Sequence, residues 1–397
     1  MPTSLAVALQ LIEAQKASET LLCAGLDPYA SHDDTALPFG LDMYGHFKDV
    51  EDYRERLHSG YEGLYGARLL NDGEDVPNVD LLAGVAGYFS TLVEILINDC
   101  GVYVFKPQAA FWEGLGEMGM IILAKICEKI RKLALAAGKE CFLLLDAKRG
   151  DLFDTMLRYL QAYLTPVGEK LTTGISARYG FHSMTTHTWM GDDTLAPAIP
   201  FLQNGSGLTV VTRSSNPSGT TLQDALLSAD VNVALNAKQE KYALIGDDID
   251  VVAGIIGRQP SVQHMMMYRT SQFLRENGFP SDQLSPLFSV IGSTLKNDLT
   301  FRQILELGTA LVPGFGKQGG TVLNALPLLM QTGEWAGFGA IFASSSAIGY
   351  APWSHYQGDD DFSLEGLRRN VMLRVSEHRK QEEKDFAAEG IPYSCAA

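Results

Sequence analysis

The chain has 397 residues, of which 46% are hydrophobic and 20% are charged. Such a chain can bury a large core, which excludes a disordered protein or a miniprotein held together by disulfides. The formal net charge of −16 disfavours a broad basic surface for nucleic acid or for an anionic membrane. A single cationic pocket inside an acidic surface is compatible with this net charge.

Cysteine usage and the N-terminal segment both indicate a reducing compartment. The five cysteines lie far apart, without the C-x-x-C spacing of metal or redox sites. The segment before Lys16 lacks the basic start and continuous apolar core of a secretory signal. No apolar run approaches the ~20 residues of a membrane helix. We therefore expect a cytoplasmic protein that binds neither nucleic acid nor a membrane.

Short β-like runs alternate with helix-like stretches along most of the chain. The predicted strands cover residues 21–27, 102–106, 141–146, 183–188, 207–212, 287–291, 309–312 and 339–343. The clearest predicted helices cover 79–98, 115–137 and 151–164, and a further helix is expected around 48–57. Eight strands with helices between them predict an α/β fold of the closed (β/α)8 type, the TIM barrel. One further run, 250–257, is equally strand-like and would move the later boundaries if it replaced one of the eight.

Three stretches interrupt this alternation. We interpret 29–80 as an insertion after strand 1, 228–286 as an insertion between strands 5 and 6, and 350–397 as a C-terminal tail of one domain spanning 1–397. They leave 238 residues for the barrel, close to the roughly 250 that are typical of the fold. They also carry 13 of the 16 net negative charges, so the predicted barrel itself is nearly neutral.

The densest group of charged residues lies where the third predicted strand ends, in Asp146-Ala-Lys148-Arg-Gly-Asp151. The two-residue period of a strand would point Asp146 and Lys148 to the same side, and Lys106 ends the preceding strand at the same rim. An alternating Lys106, Asp146, Lys148, Asp151 array keeps like charges apart and would hold Lys148 charged, ready to donate a proton. The structural alternative is an Asp146–Lys148 ion pair with Asp151 as a helix N-cap.

Polar or glycine-rich residues follow three other predicted strands. Asp27 closes the first strand and Ser215 lies in the polar segment 213–217 after the fifth, where ordinary turns would look similar. The glycine-rich segment 312–320 follows the seventh strand, a usual phosphate site of this fold. The chain lacks the P-loop, dinucleotide, nucleophile-elbow and H-E-x-x-H motifs. Nothing in the sequence therefore requires a metal or a dinucleotide.

Together these motifs resemble the orotidine 5'-phosphate decarboxylase family, in its longer bacterial-type branch. The matching stretches occur in the family's order and cover residues 22–28, 105–123, 143–155, 189–195, 211–217 and 311–320. The resemblance implies a (β/α)8 barrel, usually a homodimer. It implies conversion of orotidine 5'-phosphate to UMP and CO2 in pyrimidine biosynthesis, with neither metal nor organic cofactor.

The resemblance also implies a role for each charged residue. Lys106, Asp146 and Lys148 would form the array of one subunit, with Lys148 as the proton donor. Asp151 would reach into the neighbouring subunit's site, and Thr155 would touch the ribose of that neighbour's nucleotide. Catalysis would then depend on a complete dimer.

Substrate-binding roles follow in the same way, with one departure. Asp27 would bind ribose hydroxyls, Ser215 the pyrimidine amide and Gln318 the phosphate. The family's last strand ends in Ser-Arg-x-Ile, whose arginine grips the phosphate, and here Ser346 occupies the arginine position. Lys317 would compensate. The departure leaves open a non-catalytic nucleotide-binding relative with impaired phosphate capture. A separate alternative is a sister sugar-phosphate decarboxylase that uses Mg²⁺.

Overall fold

Eight parallel strands form a closed barrel in which each strand pairs with its neighbours in sequence and the last pairs with the first. The computed structural model describes residues 6–29, 40–65, 79–227, 245–292, 299–315, 320–350 and 363–396. The strands are β1 (Leu22–Leu26), β2 (Val104–Pro107), β3 (Phe142–Arg149), β4 (Ser183–Thr186), β5 (Gly207–Arg213), β6 (Leu287–Ile291), β7 (Ala310–Pro313) and β8 (Ala340–Ser344). All eight predicted strands and the TIM-barrel fold are confirmed.

Helices surround this barrel. Those in the described residues are α1 (Val7–Ser18), α2 (Gly40–Gly45), α3 (Tyr53–Tyr65), α4 (Val79–Glu94), α5 (Ala109–Glu113), α6 (Gly116–Ala136), α7 (Phe153–Leu164), α8 (Ile199–Gln203), α9 (Gly219–Leu222), α10 (Ile245–Ile256), α11 (Val262–Glu276), α12 (Leu299–Leu305), α13 (Val322–Ala325), α14 (Ser346–Gly349) and α15 (Leu364–Glu389). The three clearest predicted helices correspond to α4, α6 and α7. The helix expected around 48–57 begins later, at Tyr53.

The strands are recognisable in the sequence because they are buried on both faces. All five residues of β1 and of β6 are buried, as a strand enclosed by helices outside and packed side chains inside must be. Such strands appear as continuous apolar runs rather than as alternating ones.

The strand-like run 250–257 belongs to α10, so the alternative strand is wrong. Ile249, Val252 and Ile256 are buried, whereas Val251 is 47% exposed. Buried positions three and four residues apart define one face of a helix. This face packs into the outer hydrophobic layer together with Phe301 of α12.

The three stretches interpreted as additions contribute helices to the outer layer. Within 228–286, α11 packs against β5 and β6. Within the tail, Arg379 of α15 donates hydrogen bonds to the carbonyls of Ser18 and Cys100, which precede β1 and β2 in the chain. Within 29–80, α2 and α3 pack on α4. The division of the chain into barrel and additions stays a prediction.

One segment is more apolar than the sequence analysis allowed. Val79–Asp99, which comprises α4 and the π-helical turn Ile95–Asp99, is 21 residues long, and an 18-residue window within it has a mean hydropathy of 1.6. Since 83% of that window is buried inside the protein, its apolar character is explained by packing, which includes contacts of α4 with α2, α3 and α6.

Candidate active site

Three charged side chains meet at the carboxyl ends of β2 and β3. The Nζ of Lys106 lies 3.2 Å from Oδ2 of Asp146, and the Nζ of Lys148 lies 2.6 Å from Oδ1 of the same carboxylate. The side chains of Lys106 and Asp146 are only 7% and 12% exposed, whereas that of Lys148 is 49% exposed. The carboxylate therefore bridges a buried ammonium and an accessible one.

The charges of this group stabilise one another. Burial alone would raise the pKa of Asp146, but the ammonium groups of Lys106 and Lys148 and a hydrogen bond from Thr185 outweigh it. The pKa of Asp146 consequently lies far below its ordinary value. Burial would lower the pKa of Lys106, and the carboxylates of Asp146 and Asp27 raise it above its ordinary value instead. The Lys106–Asp146 pair is thus ionised across the whole physiological pH range.

Lys148 reaches the cavity through an irregular backbone. The register between β3 and β4 shifts between Leu145 and Arg149, and Lys148 has a φ of 49°, in the left-handed region. Its N–H donates to Oγ1 of Thr185 at 2.8 Å. The strand alternation that predicted a common side for Asp146 and Lys148 is broken at Lys148, although both side chains do line the cavity. A non-glycine residue held in this conformation is typical of functional sites.

A second buried carboxylate, Asp27, follows β1, the strand that pairs with β2. Its Oδ2 accepts a hydrogen bond of 2.6 Å from the Ser345 hydroxyl, and its carbonyl accepts one of 2.8 Å from Tyr350. The Tyr350 hydroxyl is 2.8 Å from that of Tyr44, in the stretch after β1. Gly25 is required for this arrangement, because a Cβ there would lie 1.8 Å from Oγ of Ser345.

Asp27 retains an unused acceptor. Its Oδ1 is buried and accepts no hydrogen bond of normal geometry from the described residues. Burial raises the pKa of Asp27, against the lowering effects of Lys106 and of the Ser345 hydrogen bond. An unpartnered carboxylate oxygen beside a cavity is suited to accept a hydroxyl group from a ligand.

These groups line one cavity of about 260 Å³ at the carboxyl ends of the strands. The predicted site residues in its wall are Asp27, Lys106, Asp146, Lys148 and Ser215. Gly314, Ser345 and Ser346 also line it, on the side of β7 and β8. Two further predicted binding residues, Lys317 and Gln318, lie outside the described residues.

Asp151 and Thr155 do not line this cavity. The backbone of Asp151 is held by Thr194, whose Oγ1 accepts the Asp151 N–H at 3.2 Å and donates to its carbonyl at 2.5 Å. Leu152, not Asp151, is the N-cap of α7, so the N-cap interpretation of Asp151 is wrong by one residue. Oδ1 of Asp151 accepts the Leu152 N–H at 2.8 Å.

Two polar residues of the site were missed in the sequence. Thr185 donates to Oδ1 of Asp146 at 2.9 Å, and Ser345 holds Asp27. Both lie at strand ends, and Thr185 lies within the predicted strand 183–188. A rule that examines every polar side chain at a barrel strand's carboxyl end would have included them.

The chain is similar in sequence to known proteins that carry one name. Residues 91–272 match the orotidine 5'-phosphate decarboxylase / HUMPS family. The orotidine 5'-phosphate decarboxylase of a Nocardioides species is 29% identical over 72% of this chain and 85% of that protein. The enzyme of the same name from Deinococcus radiodurans is 27% identical over 62% of this chain and 71% of that protein.

Solved structures share the fold over nearly the whole length. Plasmodium berghei orotidine 5'-monophosphate decarboxylase superposes with a TM-score of 0.58 at 15% identity, covering 96% of this chain and 98% of that one. Leishmania donovani OMP decarboxylase gives a TM-score of 0.54 at 17% identity, covering 96% and 98%. The sequence matches make the chain similar to the orotidine 5'-phosphate decarboxylase / HUMPS family, and the solved structures show that it shares their fold.

Proposed function

We propose that this protein converts orotidine 5'-phosphate to UMP and CO2 in pyrimidine biosynthesis. The observation that carries the proposal is the Lys106–Asp146–Lys148 group, in which both oxygens of one carboxylate are paired with ammonium groups at the wall of a cavity. The similarity to orotidine 5'-phosphate decarboxylases supports decarboxylation, and the geometry supports the assignment of roles.

The chemistry requires a cation at the reacting carbon. When the bond between C6 of the pyrimidine and its carboxylate breaks, CO2 leaves and the electron pair stays on C6. The Lys148 ammonium stabilises this developing negative charge and then transfers a proton to C6. Because its side chain is 49% exposed, Lys148 can regain a proton from solvent after each turnover. Asp146, held by Lys106 and Thr185, orients Lys148 throughout.

The rest of the nucleotide extends along the cavity wall. Oδ1 of Asp27 accepts a ribose hydroxyl, and Ser215 contacts the pyrimidine amide. The phosphate lies towards Gly314 and Ser346, at the carboxyl ends of β7 and β8. Lys317 and Gln318, which follow in the chain, complete its binding. Binding of the ribose and phosphate supplies free energy that offsets the cost of orienting and distorting the substrate at C6.

We also propose a homodimer in which Asp151 and Thr155 serve the partner's site. Both lie outside the cavity of their own chain. The neighbouring Leu152, Phe153, Trp189 and Met190 are each about half exposed or more, on a surface that a monomer would leave in water. A second copy that covers these side chains would bring Asp151 to its cavity.

A reducing cytoplasmic location accompanies this proposal. All five cysteines are buried and unpaired. Burial raises the pKa of the Cys23 thiol to about 12, which keeps it protonated and unreactive. Buried thiols of this kind serve packing rather than redox chemistry.

The direct test is turnover of orotidine 5'-phosphate by the purified protein, with and without EDTA. We expect equimolar UMP and CO2 and the same rate in both samples. Loss of turnover in EDTA would support the Mg²⁺-dependent alternative. UMP binding without turnover would support the non-catalytic alternative, which the Ser346 position favours.

The pH dependence of substrate capture tests the role of Asp27. Ser345→Ala removes a hydrogen bond that lowers the pKa of Asp27, so this carboxylate would become protonated at a higher pH than in the wild type. A protonated Asp27 is a weaker acceptor for a ribose hydroxyl than the carboxylate, because the negative charge is lost. We therefore expect the acid limb of the kcat/KM profile to move to higher pH, with roughly tenfold lower kcat/KM at its acid end.

Ser344→Ala provides the matched control, because Ser344 lies on β8 but does not line the cavity. Its profile should coincide with that of the wild type. The ionisation of the substrate phosphate is common to all three proteins. A Ser345→Ala profile that coincides with the wild type would contradict the role of Asp27.

A further inference from the structure

A buried arginine lies directly behind the part of the cavity wall that follows β5. Arg213, the last residue of β5, is 2% exposed. Its Nε and Nη2 lie 2.7 and 3.0 Å from the two carboxylate oxygens of Asp224, a bidentate pair, and it also donates to the carbonyl of Ser214. The decarboxylation step makes no use of this cation.

The chain between Arg213 and Asp224 folds over the guanidinium group. Gln223 accepts hydrogen bonds from the N–H and the hydroxyl of Ser214 through the same oxygen, at 2.9 and 3.3 Å. A Cβ at Gly219 would lie 2.4 Å from Nη1 of Arg213, so only glycine allows this close approach. The Arg213–Asp224 ion pair thus joins the two ends of segment 213–224, and the side-chain amide of Gln223 bonds to Ser214 within it.

Contacts on both sides leave this segment little freedom. From α11, Nε2 of Gln263 donates to Oδ1 of Asp224 at 3.0 Å. Directly after β6, the N–H of Gly292 donates to the carbonyl of Arg213 at 3.1 Å, and a Cβ on Gly292 would lie 3.0 Å from Cα of Ser215. Ser214, Ser215 and Asn216 line the cavity, and their placement depends on these contacts.

We propose that Arg213 is a positioning residue for recognition of the pyrimidine base, acting through its bidentate pair with Asp224 on Ser215 and Asn216. The inference rests on the proposed function, in which this wall faces the base. A planar guanidinium can hold both carboxylate oxygens while donating to a carbonyl, which a lysine ammonium cannot do in the same geometry. Loss of the Arg213–Asp224 pair would allow Ser215 and Asn216 to move away from the base, whereas the ribose and phosphate contacts would stay in place.

The test compares a ligand that has the base with one that lacks it. Inhibition or dissociation constants for UMP and for ribose 5-phosphate are measured for the wild type, Arg213→Lys and Asp224→Asn. In both variants we expect binding of UMP to weaken by about tenfold or more, as for loss of a ligand hydrogen bond. Binding of ribose 5-phosphate should change by less than about twofold, since its contacts do not involve this wall.

Arg269→Lys is the matched control. Arg269 lies on α11 and pairs with Asp192 and Asp248, outside the cavity wall. It should leave both constants unchanged. An equal loss of both ligands in Arg213→Lys and Asp224→Asn, or no loss of either, would overturn the positioning role.

Failure of this inference can be told apart from failure of the proposed function. The comparison uses binding, so it remains readable in a protein without turnover. A wild-type chain that binds UMP no more tightly than ribose 5-phosphate would overturn both the inference and the proposed substrate. A wild type that favours UMP, with variants that keep this preference, would overturn the inference alone.

Discussion

Lys148→Ala is expected to lower kcat for orotidine 5'-phosphate by about 10³- to 10⁴-fold, the combined scale of a lost proton donor and a lost electrostatic contact. Asp146 would keep its pair with Lys106 and its bond from Thr185, so the carboxylate is not left alone. Since Lys148 is half exposed, the fold should tolerate the change. The measurement is kcat and KM from initial rates of UMP formation.

Lys170→Ala is the control for loss of a lysine elsewhere. The Lys170 ammonium donates to Ser176 at 2.9 Å on the exposed surface, away from the cavity. We expect wild-type kinetics from this variant, and thermal unfolding of both variants close to that of the wild type. Retention of kcat within about tenfold in Lys148→Ala would be too small a loss for the proton donor.

The barrel was predictable because its strands are buried except at the carboxyl ends of β3 and β7. Runs such as Phe142–Leu145 have no exposed face, so they appear in the sequence as unbroken apolar segments. The one ambiguous run, 250–257, resolves into a helix whose buried side chains recur at Ile249, Val252 and Ile256. Over so few residues an apolar run does not distinguish a strand from a helix, and only tertiary packing decides.

The site was predictable where strand ends carry charge and not where distant segments meet. Lys106 and Asp146 lie in the carboxyl-terminal halves of adjacent strands, and the parallel topology brings them together. The Asp27–Ser345 bond joins residues 318 positions apart, and the Tyr44–Tyr350 contact joins residues 306 positions apart. Such pairs carry no local signal in a single sequence.

The backbone at Lys148 shows a second limit. A lysine with a φ of 49° contradicts local preference, because left-handed conformations favour glycine. The conformation is stabilised by Thr185, which accepts the Lys148 N–H and donates to Asp146. An unfavourable backbone conformation at Lys148, the proposed proton donor, is expected because contacts with the rest of the site stabilise it.

Hybrid dimers should recover activity from two inactive variants. Asp151→Ala is expected to be as defective as Lys148→Ala if Asp151 completes the partner's site. In a dimer with one subunit of each kind, one site lacks both Lys148 and Asp151, and the other site has both residues. Random exchange of subunits at equal concentration should then restore about a quarter of the wild-type activity, since about half of the dimers are hybrids and each has one intact site.

The control mixture combines Lys148→Ala with Asp146→Asn. These two residues are 2.6 Å apart within one chain, so every site in their hybrids has a defect and no activity should return. Recovery in the first mixture alone would establish that Asp151 acts across the interface. If Asp151 instead acted within its own chain, both mixtures would stay inactive. Its distance from the cavity would then have to be closed by a movement of the β3–α7 connection, which Thr194 holds at two points.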